Sequence, residues 1–221
     1  MKKMLFAAAL CLTLAASIRP AHALAISLFP RTGLTVHRFD DVFIDVNLTG
    51  LRPAGLNRTL GAFEVDLLFD PNLFQKIDTP PAGWGMGLGG VPAGEALASM
   101  VLTAPGILHL SAVSLLEASP AGCVFCTGPY LADLQADSFR LATVGLYAYN
   151  PNLPEGVTTV RTSSAILGDG DGNRLPDVPD TMLQLSVPEP GTLALLPLGL
   201  ACAAVIGKRR RASARFNTAV T

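Results

Sequence analysis

From residue 24 to residue 187 apolar side chains tend to recur at every second position, in short runs broken by Gly, Pro, Asp and Asn. In VFIDVNL, Val42, Ile44, Val46 and Leu48 share one face, while Asp45 and Asn47 share the other. In GAFEVDLLFD, Phe63, Val65, Leu67 and Phe69 point one way, with Glu64 and Asp66 opposite. A period of two is that of a strand with one dry face. AISLF, ILHLSAV, FRLATVGLYAY, TTVRTSSAI and TMLQLSV read as five more strands, rich in strand formers though alternating less cleanly. Such strands, separated by turn signals, predict an all-β fold, an antiparallel β-sandwich over 24–187. The glycine-rich stretch Pro80 to Gly94 is expected to wrap an edge of the sandwich, and Ser114 to Tyr130 forms a second long insertion.

The pattern changes at both ends. Residues 1–23 place Lys2 and Lys3 before an apolar run from Met4 to Ile18 and finish on Ala21-His22-Ala23. That order predicts a cleavable signal peptide, cut by a signal peptidase after Ala23, and hence export across the inner membrane. At the other end, Pro188-Glu189-Pro190 precedes an uncharged apolar run over 191–207 and the basic cluster Lys208, Arg209, Arg210 and Arg211. Its 17 residues make a helix of roughly 25 Å, slightly short of the ~30 Å hydrocarbon core. The run has no polar face, so it predicts a transmembrane helix rather than a core helix. The basic cluster puts residues 212–221 in the cytoplasm and the sandwich outside.

Removing the ends changes the charge. Residues 24–187 hold eight basic and sixteen acidic residues, a net charge of −8. A body of that sign repels phosphate backbones, which argues against a nucleic-acid partner. About 165 residues suffice for one sizeable core, so one domain is expected.

Few residues carry recognisable chemistry. Cys123 and Cys126 form a C-x-x-C pair in a Gly/Pro-rich loop, open to a local disulfide, a redox role or half a zinc site. Trp84 is the only tryptophan and could stack on a sugar or plug the sandwich end. In GDGDGNRLPDVPD, Asp169, Asp171, Asn173, Asp177 and Asp180 take positions 1, 3, 5, 9 and 12 of a calcium-type loop, with the Leu175 carbonyl at 7. Arg174 stands where glycine makes the sharp turn of such loops, and Pro176 and Pro179 break any flanking helix, so a plain Asp/Asn turn is the alternative. Beyond the signal peptide only His37 and His109 remain, neither in a triad or metal motif. No catalytic residue and no obligate cofactor is expected, and the chain reads as a non-enzyme.

Two resemblances add to this reading. FEVDLLFDPNLF, FRLATVGLYA and ILGDGDGNRLPDVPDTMLQLSV resemble parts of the cohesin-type sandwich, whose early strand runs into an "FDP" turn. That resemblance implies a nine-stranded jelly roll and a role in protein or carbohydrate-associated binding. The tail from Val187 to Arg211 resembles the PEP-CTERM sorting signal, of which Pro188, Glu189 and Pro190 are the naming motif. It implies an exosortase partner that cleaves near the motif and releases the protein to the cell surface or extracellular matrix. The partner there would be exopolysaccharide or another surface protein. The expected function is adhesion or protein/polysaccharide association, with a carbohydrate-binding module or a secreted hydrolase as the alternatives.

Overall fold

The computed structural model describes residues 23–52, 58–122, 128–150 and 156–187. The expected signal peptide (apart from Ala23), the apolar run over 191–207 and the basic cluster lie outside these residues.

Ten antiparallel strands form two five-stranded sheets. Sheet I joins β1 (Ala25–Pro30), β2 (Asp41–Thr49), β8 (Phe139–Ala148) and β4 (Phe74–Ile77) in that order, and β5 (Gly83–Trp84) pairs with β8 beside β4. Sheet II runs β10 (Met182–Val187), β9 (Gly156–Asp169), β3 (Leu60–Leu68), β7 (Ile107–Ser114) and β6 (Ala96–Ala104). One four-residue helix, α1 (Leu131–Leu134), interrupts the strands. Nine strands of four residues or more agree with the expected sandwich, and β5 falls inside the loop expected along its edge. Strands β4 and β6 are additions to the seven read from alternation.

The alternation of β2 and β3 becomes the core directly. Val42, Ile44, Val46 and Leu48 face Phe63, Val65, Leu67 and Phe69 between the sheets, and all eight are buried. Burying each such side chain is worth about 1.5–3 kcal/mol, so this interior layer is the main source of cohesion. Strand β9 needs a correction of phase to join it. Thr162 points inward and so does Leu167, five residues on, which strict alternation forbids. Ser164, with φ of 55°, takes up the difference: Glu64 pairs with Ile166 but Asp66 pairs with Ser163, leaving Ser164 and Ala165 opposite one residue. This β-bulge returns Leu167 to the core and turns Ile166 outward.

The open seam between the sheets is closed by backbone. Ser186 of β10 bonds to the segment after β1: its N–H donates to Leu34 O at 2.7 Å, and Val36 N–H donates to its carbonyl at 2.9 Å. Thr181 Oγ1 donates to Ile26 O of β1.

The loops between β3 and β8 are held by one buried amide. Leu60 N–H donates to Gln135 Oε1 at 2.7 Å, and Gln135 Nε2 donates to Leu60 O at 2.7 Å and Gly87 O at 2.8 Å. Gln135 is buried, so all three bonds form away from water. Replacing it by leucine leaves two backbone acceptors and one donor unmet, an expected loss of about 3 kcal/mol. Urea unfolding followed by Trp84 fluorescence measures it, and the midpoint is expected to fall at unchanged slope.

Candidate functional site

The outer face of sheet II carries several exposed apolar side chains. Its side chains fall into cross-strand rows fixed by register. One row sets Ala62, Val113 and Leu97 side by side on β3, β7 and β6; the next sets Ile166, Glu64, Ser111 and Ser99; the third sets Asp66, His109 and Val101. Leu97, Val101, Val113 and Ile166 are all exposed, at 60, 53, 42 and 45%. Their alternation partners on the same strands fill the core, so this apolarity is not demanded by the fold. A shallow depression of about 330 Å³ lies among Ala62, Glu64, Leu97, Ser99, Ser111 and Val113. Ile166 faces outward only because of the bulge at Ser164.

His109 Nδ1 and Asp66 Oδ1 lie 2.8 Å apart across β7 and β3, with both side chains about one-third exposed. The sequence shows His109 without a partner, because Asp66 lies forty-three residues away. Register alone brings the two together.

Trp84 takes the plugging role of the two open to it. It pairs through β5 with Ala142 and packs on the core, its ring tilted by 55° against Phe63 at a centroid distance of 6.2 Å. The ring therefore spans from sheet I to a core residue of sheet II and stays partly exposed.

The acidic hairpin is built as a turn. Asp169 Oδ1 accepts from Asp171 N–H at 3.0 Å and Asn173 N–H at 2.7 Å, and Asn173 Nδ2 donates to Oδ2 at 3.1 Å. Asp177 is spent on Arg174, at 2.6 Å. Asp171, Asn173, Asp177 and Asp180 are exposed, and among the described residues no group of three His, Cys, Asp or Glu side chains is placed to hold a metal ion. The loop is thus closed by its own hydrogen bonds as an Asp/Asn turn. Gly61 lets β3 approach its base, since a Cβ there would collide with Asp169 O. Cys123 and Cys126 lie outside the described residues, as do Pro188, Glu189 and Pro190 and the cluster Lys208, Arg209, Arg210 and Arg211.

With the fold and this face described, the likeness to known proteins can be placed. No family model and no curated protein matches the chain. Solved structures do match. The sixth cohesin of scaffoldin B from Acetivibrio cellulolyticus, in complex with a mutant Cel5 dockerin, is 12% identical, with a TM-score of 0.51 over 75% of this chain and 99% of that one. The third cohesin of ScaC from the same organism, in complex with the ScaB dockerin, is 10% identical, with a TM-score of 0.51 over 76% and 100%. A Clostridium thermocellum cohesin, from a type I cohesin–dockerin complex, is 10% identical, with a TM-score of 0.50 over 76% and 98%. At these identities the likeness is one of fold. The chain has a cohesin-like β-sandwich.

Asp169 also gives a pH signature. Burial acts to raise its carboxyl pKa, but the bonds from Asn173, Asp171 and Gly172 together outweigh it and hold the group below its ordinary value. A depressed carboxylate stabilises the fold above its unfolded-state pKa and loses that contribution as pH falls through the folded one. Asp169→Asn is therefore expected to lower the unfolding midpoint by a constant amount from neutral pH to about pH 5, with the gap closing below about pH 4. Thermal unfolding of both forms across that range checks it.

Proposed function

We propose that this protein is an exported, non-enzymatic surface or matrix component whose sandwich docks a partner protein through the outer face of sheet II. The observation that carries the reading is the set of exposed apolar side chains Leu97, Val101, Val113 and Ile166 placed around the polar row of Glu64, Ser111 and Ser99, on a face whose fold does not require them. The fold supports it, because the similar cohesins were solved bound to dockerins, which are protein partners. A protein surface with apolar residues ringed by basic ones suits this face, given Glu64 and Asp66 within it and the net charge of −8 over 24–187. The carbohydrate-binding alternative, which drew on Trp84 and other loop groups, is weakened at Trp84, whose ring is partly taken up by packing on the core.

Delivery rests on the sequence of the two ends. The signal peptide exports the chain, the run over 191–207 anchors it in the inner membrane, and exosortase cleaves near Pro188-Glu189-Pro190 and passes the sandwich outward. Mass spectrometry of the native protein is expected to find a C-terminus close to that motif. A chain still ending at Thr221 would contradict sorting by cleavage and leave a permanent anchor. For docking, a photo-cross-linking residue at Ser111 is expected to capture a protein partner in the producing cell, while one at Gln75 on the outside of sheet I is not. Equal capture at both positions would remove the assignment of the face.

A further inference from the structure

A strand edge with unmet backbone donors and acceptors is a template for another strand. Sheets I and II have four such edges, and three are closed or blunted within the molecule. β1 and β10 meet at the seam, where Leu34, Val36 and Thr181 supply the bonds already described. The far edge of sheet I is divided between the four-residue β4, which carries Lys76, and the two-residue β5.

β6 has none of these devices. It runs for nine residues, ALASMVLTA, without a charge, a proline or a glycine, and its one irregularity comes at the far end, between Leu102 and Ala104. Among the described residues its ladder is with β7 alone. Leu97 and Val101 are exposed on the outer face, and Leu102, on the opposite face, is also 45% exposed because the core ends before it. From Met100 to Ala104 the one polar side chain is Thr103, whose hydroxyl donates to Ile107 O of β7.

We propose that β6 pairs with β6 of a second copy of this chain, antiparallel across a twofold axis, so that two sheets of the second type join edge to edge. A twofold axis sets the strand against its own copy, so any charge on it is doubled at the junction and faces its like wherever it lies near the axis. β6 has no charge to repel its copy, within a body of net −8 over 24–187 that disfavours self-contact elsewhere. Backbone bonds supply the specificity, and Leu97, Val101 and Leu102 supply the apolar area. A pair of nine-residue strands is at the low end of interface size, so the dimer is weak and forms at about micromolar concentrations or above. This pairing is made by the edge of sheet II; it shares Leu97 and Val101 with the outer face and leaves Val113 and Ile166 free of it, so it does not require a partner to dock there.

Amide hydrogen exchange on the full chain, held in a mild detergent on account of its apolar C-terminal run, reads the edge directly. Between about 1 μM and about 500 μM, those amides of Leu97–Thr103 that point away from β7 are expected to slow about tenfold. Val101→Lys is expected to abolish that dependence without lowering the unfolding midpoint. Ile166→Lys, on the same face but three strands in from the edge, is expected to keep it. Exchange independent of concentration, or dependence that survives Val101→Lys, or its loss in Ile166→Lys, would overturn the proposal.

Discussion

Two packed sheets can keep water out only while every strand holds its apolar residues on the side facing the other sheet. A slip of one residue reverses every side chain beyond it. Strands β2 and β3 meet that demand by strict alternation, but β9 does not: its inward residues Thr162 and Leu167 are five apart. The left-handed turn of the backbone at Ser164 resolves the conflict by inserting an unpaired residue. The β9–β3 pairing on both sides of the bulge, and through it the place of β10, rests on this local change of phase. The same residue that keeps Leu167 dry turns Ile166 outward, so the core sets where this side chain points but not that it is apolar.

Outside the ladders, polar groups inside the protein must find partners without strands to supply them. Gln135 solves this for the long connections: its amide mimics a peptide group, giving Leu60 the donor and acceptor a neighbouring strand would give and reaching Gly87 as well. The loop between β5 and β6 and the segment around α1 are thereby fastened to the start of β3. Trp84 acts at the same end through packing, joining β5 to Phe63 across the sheets.

Legibility in the sequence followed the physics of burial. Where one face is dry and the other wet, as in β2 and β3, alternation reveals the strand. β6 escaped because edge exposure removes the contrast: Ala96, Ala98 and Ser99 are small, and Val101 to Ala104 are exposed on both faces. β4 escaped because four residues are too few to set a period. The bulge at Ser164 blurred β9 in the stretch where the pattern changes phase. The candidate face could not be read at all, since Ala62, Leu97, Val113 and Ile166 come from four strands more than a hundred residues apart at the extremes. The acidic hairpin was legible as spacing but not as geometry, because the bonds that Asp169 accepts from its own loop appear only once the turn is closed.

The last described residue, Val187, leads directly to Pro188, and the strand it ends has a neighbour on each flank near Ser186. β9 of sheet II holds one flank, and Leu34 and Val36, which follow β1 of sheet I, hold the other. Any tether acting on the chain beyond Val187 would therefore draw on both sheets at once. Tension directed along β10 would have to slide several backbone bonds together instead of opening them one at a time. In mechanical terms the end of β10 is a shear joint.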